Sequence, residues 1–317
     1  MNKRRTDFWK KEHERGQEAD ERKRGERVGE YRGAAAGDPA GRQAADSGRA
    51  APILEVDNLS LEAADSGAPL VDGVRFSLGR GESLGLVGES GSGKSLTLRA
   101  VLGLLPPGVR RAGGEIRQSG RAAMVFQDPR SALDPLCPVV KQVAEVVRYR
   151  QKKNRKAARA EALHLLDQLG LPDSLGQEDR YPHQLSGGQC QRIVIALALA
   201  CRPDVLLCDE PTTALDVTVQ RQIVDLLSRL QAELGFALVF VTHNLAVAAE
   251  MCSRIAVMQR GRIVEEGPAE DVLTRPRNPY TQMLVDAVLP LPASAGESGG
   301  ASSDREKEAR DEHQFID

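Results

Sequence analysis

Apolar and polar positions change rhythm several times along this chain. Ile53, Leu54, Val56, Leu59 and Leu61 predict one strand, and the alternation of Val74, Phe76 and Leu78 predicts a second. The turn Gly79-Arg80-Gly81-Glu82 leads into a short apolar run, Leu84 to Val87, which reads as a buried strand. A helix comes next, predicted to run to about Leu105, where Pro106-Pro107-Gly108 stops it. Short strands are expected near Glu115–Ile116 and over Ala122 to Phe126. From Asp128 to about Ala200 the texture turns helical; Leu163, Leu166 and Leu169 share one face, with charges opposite. Strands return at Val205 to Cys208, Ala237 to Val241, Arg254 to Met258 and Arg262 to Glu265, and a helix over Val217 to Leu234 links the first two. Strands alternating with helices predict an α/β fold whose mainly parallel sheet is covered on both faces.

The same rhythm sets the boundaries. Residues 53–292 form the ordered unit, with a helical segment at about 128–200. Polar, charged and small residues dominate 1–52 and 293–317, which read as disordered tails. In the first tail, mixed charges around Lys10 to Arg32 suit a solvated helix. Lys3, Arg4, Arg5, Lys10 and Lys11 around Phe8 and Trp9 raise lipid contact, against the simpler reading of a dispensable tail. The basic cluster Lys152 to Arg159 reads as a solvated helix face. No internal repeat is visible.

Composition narrows the classes. With 317 residues, 41% of them hydrophobic, the chain can bury a sizeable core. A net charge of −2 gives no overall drive toward nucleic acid or anionic lipid. No apolar run approaches the roughly 18 residues that span a bilayer, and the charged N-terminus has no apolar signal core. A membrane role would therefore need other chains to hold it there. The five cysteines form no CxxC pair, which suits a reducing cytoplasm.

The chemistry concentrates in a few stretches. Gly88-Glu89-Ser90-Gly91-Ser92-Gly93-Lys94-Ser95, continued by Leu96, lies between a strand and a helix. Its glycines let backbone N–H groups and the helix N-terminus face an anion, so it reads as a phosphate-binding loop. Lys94 would reach the β- and γ-phosphates of a nucleotide and the Ser95 hydroxyl would bind Mg²⁺. Asp209 and Glu210 end the apolar run from Val205, at the strand end where parallel sheets bind ligands. Asp209 can hold Mg²⁺ through its water shell, and Glu210 can orient the attacking water. His243 comes after another strand and faces the same edge. Ser186-Gly187-Gly188-Gln189 opens a helix predicted over Cys190 to Ala200 and offers a second anion cradle, or an ordinary N-cap. One nucleotide needs one cradle, so a second suggests clamping by another copy or a partner chain.

Gly88 to Ser95, Gln127, Leu185 to Gln189, Val205 to Glu210, Ala214-Leu215-Asp216 and His243 occur in this order, and the order resembles the ATP-binding cassette ATPases. They look like that family's Walker A, Q-loop, signature, Walker B, D-loop and H-loop. The resemblance covers about Ile53 to Leu291. It implies a P-loop NTPase fold, the ABC nucleotide-binding domain, with a RecA-like core and a helical subdomain. It also implies ATP with Mg²⁺, and two cassettes packed head to tail with each ATP between the Walker motifs of one and the signature of the other. By resemblance, Gln127 touches Mg²⁺ and the water, His243 contacts the γ-phosphate, and Asp216 crosses the dimer interface. Implied partners are two transmembrane permeases, a second ATPase (a paralogue or a second copy) and, indirectly, an extracytoplasmic substrate-binding protein, with no nucleic acid. The implied location is peripheral, on the cytoplasmic face of the cell membrane.

Phe126 to Pro135, Asp209 to Thr218 and Asn278-Pro279-Tyr280-Thr281 resemble the peptide/nickel importer ATPases. Ala68 to Val74, Ser95-Leu96-Thr97 and Leu105 to Arg110 look closest to the nickel-import type, so nickel uptake is the expectation, with dipeptide or oligopeptide uptake as the alternative. Three departures stand out. No aromatic lies near Ala63, where the family stacks adenine, a lack that the nickel type shares. The stretch Glu115 to Ala123 is shorter than in typical peptide importers. No cysteine comes after Cys252, so no iron–sulfur cluster is expected. A translation factor would carry two cassettes, and a DNA-repair ATPase would carry a coiled-coil or zinc insertion between Ser95 and Ser186. Intact Lys94, Asp209, Glu210 and His243 argue against a dead interaction module.

Overall fold

The computed structural model describes residues 51–213 and 215–287. Both expected tails and Ala214 lie outside the described residues, apart from positions 51 and 52.

Three strands make an antiparallel sheet: β1 (Leu54–Ala63), β2 (Pro69–Leu78) and β4 (Val109–Gln118), in the order β2-β1-β4. The apolar residues of β1 change parity, from Leu54 and Val56 to Leu59 and Leu61, yet all four are buried. A register shift between Val56 and Leu59 reconciles the two halves, and Asn58 within it adopts φ 54°. An extra residue in one strand turns the later side chains to the other face, and here it returns Leu59 to the core. Gly114 of β4 lies against this bulge with φ 85°, and a Cβ there would sit 2.3 Å from the Asn58 carbonyl oxygen. Gly114→Ala is therefore expected to cost roughly 2–4 kcal/mol. Denaturant unfolding checks this, and a shift below about 0.5 kcal/mol, the size of an ordinary surface substitution, would contradict the clash.

The second sheet carries β3 (Ser83–Val87), β5 (Ala122–Val125), β6 (Val205–Asp209), β7 (Ala237–Thr242), β8 (Arg254–Gln259) and β9 (Arg262–Pro268), in the order β5-β6-β7-β3-β8-β9. All neighbours are parallel except β8 and β9. Every residue of β3, β6 and β7 is buried, which is why these strands read as continuous apolar runs. Alternate residues serve opposite cores. Leu206, Cys208, Leu238 and Phe240 face one cluster, while Val205, Leu207, Val239 and Val241 face the other with the small sheet.

The helices cover these faces. The loop after β3 opens α1 (Lys94–Val101). This helix ends before the expected Leu105, because Gly103 at φ 69° closes it. Gly103 N–H donates to Ala100 O at 3.0 Å and Leu104 N–H to Arg99 O at 2.8 Å, the paired bonds of a glycine C-cap. The stop precedes Pro106. A second difference is β4, expected as a stub at Glu115–Ile116 but ten residues long. It is mostly exposed and lacks an apolar rhythm, while β1 supplies its ladder along the whole length.

Helices α2 (Val139–Gln151), α3 (Arg155–Gln168), the single turn α4 (Ser174–Gln177) and α5 (Gly187–Ala200) come after β5. Val143, Val147, Ala162, Leu166 and Ile193 join them in one core that continues onto β6 and β7. The basic cluster Lys152 to Arg159 spans the turn between α2 and α3 and the first turn of α3, mostly exposed apart from the buried Ala158, and Lys153 pairs with the buried Glu161 at 2.8 Å. After β6 come α6 (Val217–Leu234), α7 (Leu245–Met251), α8 (Ala269–Thr274) and α9 (Pro279–Ala287). No helix among the described residues is long and apolar enough to cross a membrane.

Candidate functional site

The sheet order puts β6, β7 and β3 side by side and parallel, so the loops after Asp209, Thr242 and Val87 meet at one edge. The loop after β3 is tightly wrapped. A Cβ on Gly88 would lie 2.1 Å from the Met258 carbonyl oxygen, and one on Gly93, at φ 102°, would lie 2.8 Å from the Met258 methyl. Only glycine lets the backbone pass there and still open α1 at Lys94. The buried Lys94 ammonium donates to Gly88 O at 2.8 Å, Glu89 O at 2.7 Å and Ser92 Oγ at 3.4 Å. Burial lowers its pKa, while Glu210, Asp209 and Glu89 oppose that shift.

Asp209 is 2% exposed and accepts the Ser95 hydroxyl at 2.7 Å. Burial raises its pKa; the Ser95 hydrogen bond and the charge of Arg99 pull the other way. Burial thus works against the charge on both groups, and a cation beside the carboxylate or an anion beside the ammonium would offset it. The next residue, Glu210, sits in the left-handed region at φ 44°. Such a conformation is costly for a side chain with a Cβ and clusters at working sites. Here the turn aims the Glu210 carboxylate into a ring of donors. Thr213 Oγ1 donates to Oε2 at 2.8 Å and Gln127 Nε2 at 3.5 Å; His243 Nδ1 lies 3.4 Å away, and Lys94 Nζ lies 3.9 Å from Oε1.

These groups line a cavity of about 590 Å³, together with Leu70, Glu89, Ser90, Gly91, Gly93, Ser95 and Leu96. Its chemistry is an ammonium and a helix N-terminus for an anion, with the Glu210 carboxylate beside the ammonium and the Asp209 carboxylate behind Ser95. Among the described residues no set of three His, Cys, Asp or Glu could hold a metal alone. A hard divalent cation would rest on Ser95 and Asp209, with water and ligand phosphates completing its shell, which is how Mg²⁺ is commonly held.

The structure thus brings Lys94, Ser95, Gln127, Glu210 and His243 together on one cavity wall, with Asp209 behind Ser95. It does not bring Ser186, Gly187, Gly188, Gln189 or Asp216 into that lining. Ser186 caps α5, which starts three residues earlier than the expected Cys190. Its hydroxyl accepts Gln189 N–H at 3.2 Å while the Gln189 side chain accepts Ser186 N–H at 3.0 Å. Asp216 caps α6 by accepting Val219 N–H at 3.0 Å. The two caps are neighbours, since a Cβ on Gly188 would lie 2.7 Å from Val219 and one on Gly187 3.5 Å from Leu215.

Three residues at this edge lie in stretches that carry the family resemblance but have no site role legible from sequence. Leu70 of β2 supplies the cavity's apolar side, whereas Ala63, the position where a base platform is expected, ends β1 opposite Val109. Thr213 holds Glu210, and only its place in Asp209 to Thr218 points to it. Tyr280, far along the chain, accepts the Glu89 N–H at 3.0 Å.

The ABC transporter family pattern matches residues 71–213, and the pattern of the oligopeptide/dipeptide transporter C-terminal region matches residues 264–312. The chain is 44% identical over 255 residues to the dipeptide transport ATP-binding protein DppD of Escherichia coli K12, covering 74% of this chain and 78% of that one. It is 44% identical over 247 residues to the oligopeptide transport ATP-binding protein AmiE of Streptococcus pneumoniae, covering 72% and 69%. The glutathione import ATP-binding protein GsiA of Pectobacterium atrosepticum is 42% identical over 274 residues, 77% of this chain but 43% of that longer one. Among solved structures, cbiO1 of Clostridium perfringens, part of an ABC transporter complex, superposes with a TM-score of 0.62 at 28% identity, covering 71% of this chain and 91% of that one. A dimeric ATP-binding cassette, MJ0796 bound to ADP and Pi, gives 0.60 at 28% identity, covering 68% and 99%. These likenesses favour the peptide alternative over the nickel expectation. The chain belongs to the ATP-binding proteins of the ABC transporters, in their oligopeptide/dipeptide family, and is an ATP hydrolase coupled to transport.

Proposed function

We propose that this chain powers an importer of dipeptides or oligopeptides. It would act on the cytoplasmic face of the membrane beneath two permease subunits, paired head to tail with a second cassette. The observation that carries the chemistry is Glu210, held by Thr213, Gln127 and His243 on the cavity that Lys94 and the phosphate-binding loop also line. The relatives named for dipeptide and oligopeptide transport support the cargo class.

In this reading the N–H groups of the Gly88–Leu96 stretch hold the β-phosphate, and the Lys94 ammonium leaves its carbonyl partners for the β- and γ-phosphates. Ser95 and Asp209, with Gln127, would hold Mg²⁺, which when bound neutralises charge on the phosphates. Leu70 offers the adenine an apolar surface in place of the missing aromatic. Glu210 orients water on the γ-phosphorus and takes its proton as the bond to the ADP oxygen breaks. His243 contacts the γ-phosphate. Ser186, Gly187, Gly188 and Gln189 serve the ATP of the opposing cassette, which accounts for a capped, glycine-rich helix start outside this chain's own cavity, and Asp216 reaches across the same interface. The surface around Asp128 to Val147, where Leu136 is 86% exposed, receives a permease. A substrate-binding protein outside the membrane would deliver the peptide and never touch this chain.

Uptake tests the cargo. Cells lacking this chain are expected to lose accumulation of a labelled dipeptide or short oligopeptide and to regain it on restoration, with labelled nickel unchanged. Loss of nickel alone would reverse the choice between the two.

A further inference from the structure

The Gly88–Glu89 peptide unit is gripped from both ends. Its carbonyl oxygen accepts Lys94 Nζ at 2.8 Å, and its N–H donates to the Tyr280 hydroxyl at 3.0 Å. The tyrosine comes from α9, 191 residues along the chain. It is itself fixed. The residue is 6% exposed, in a cluster with Val87, Ile255, Val257 and Val272. Its N–H donates to Asn278 Oδ1 at 2.9 Å, and the Glu265 carboxylate of β9 accepts the N–H groups of Arg277 and Asn278 at 2.9 and 3.0 Å. Burial raises the pKa of the phenol, so it meets the amide as a neutral hydroxyl. The stretch Asn278-Pro279-Tyr280-Thr281 thereby acquires a physical task. It lies in the 264–312 region that matches the peptide-transporter pattern, outside the 71–213 cassette match.

The two grips differ in what nucleotide does to them. An ammonium that turns to phosphate releases the Gly88 carbonyl. The Glu89 N–H still needs an acceptor, because an amide left unpaired costs free energy. Rotation of that peptide plane would swing the next residues of the loop away from the anion. We propose that Tyr280 is a positioning residue for the phosphate-binding loop: its hydroxyl holds the Gly88–Glu89 peptide plane in the nucleotide-binding orientation after Lys94 lets go. This rests on reading the cavity as the ATP site. It makes the C-terminal region a determinant of nucleotide affinity.

The test compares Tyr280→Phe, which keeps the ring and removes the acceptor, with Val272→Ala, which loosens the same cluster without touching the loop. ATP affinity, KM and kcat, and the melting temperature are measured on each, in the assembled transporter or with the isolated chain for binding. Tyr280→Phe is expected to weaken ATP binding and raise KM about threefold to tenfold, the range of one hydrogen bond, with kcat at saturating ATP held within about twofold. Val272→Ala is expected to lower the melting temperature and leave ATP affinity unchanged. Unchanged affinity in Tyr280→Phe overturns the inference. So does an equal loss in both variants, which would assign the effect to helix packing rather than the hydroxyl. Wild-type protein that bound no ATP would overturn the reading of the cavity and this inference with it.

Discussion

Replacing Glu210 by Gln is expected to lower steady-state ATP turnover at least about 100-fold while ATP still binds, because general-base assistance contributes about 10²–10⁴. The amide matches the carboxylate in shape and can still accept the Thr213 hydroxyl, which lies 2.8 Å from Oε2 in the wild type. It cannot take a proton from water. ATP would then hold two cassettes closed, and a species of twice the cassette mass should accumulate with ATP and vanish without it. Size-exclusion chromatography beside a phosphate-release assay reads both effects. Glu210 is also the largest of the charges that offset the burial of Lys94. Its removal should let Lys94 lose its proton at lower pH, so ATP binding by the variant should fail at a lower alkaline pH than in the wild type. Undiminished turnover would falsify the assignment of Glu210.

Lys94→Met should separate binding from chemistry in the opposite sense. The thioether keeps the length of the side chain and removes the charge. Charge-assisted bonds to phosphate contribute about 1.5–3 kcal/mol, so ATP affinity is expected to fall about 10- to 100-fold, with turnover lost at ordinary ATP concentrations. The carboxylates change too. Lys94 is among the groups that pull the Asp209 pKa down against its burial, so removing it leaves a carboxylate that takes up a proton more readily. Metal-dependent nucleotide binding should then weaken further as pH falls. Equilibrium titration with ATP at two pH values checks this, and a variant that bound ATP normally would contradict the placement of Lys94.

How far the sequence reaches depends on how local the cause is. The phosphate-binding loop is legible because its chemistry is contiguous: a strand, glycines where the backbone must pass Met258, then Lys94 and Ser95. Asp209, Glu210 and His243 are legible because strands buried on both faces are continuous apolar runs, and residues just past the end of such a run lie on the ligand edge. The central parallel strands obey the same rhythm, whereas the antiparallel edge strand β9 has no buried residue. Pro106 marks the end of α1 in the sequence, but Gly103 acts first, through two hydrogen bonds that cap the helix. β4 looks short in the sequence because its exposed residues carry no period, and only pairing with β1 reveals its length. The Asn58 bulge is hidden inside an apolar pattern that changes parity. Leu70 and Tyr280 reach the site by packing across elements, and a hydroxyl that meets a backbone N–H 191 residues away has no sequence signature. Cargo is the least legible feature. The short motifs suggest nickel, while the relatives at 44% identity and the C-terminal match support peptide.

Coupling of ATP hydrolysis to peptide uptake is tested by placing the wild-type chain and Glu210→Gln with their permeases and second cassette in sealed vesicles, ATP on the cassette side. Accumulation of a labelled dipeptide or oligopeptide and release of phosphate are measured together. Wild type is expected to accumulate peptide as phosphate appears, and the variant to bind ATP but do neither. Peptide accumulation that proceeds without ATP, or phosphate release that does not depend on Glu210, would contradict this expectation.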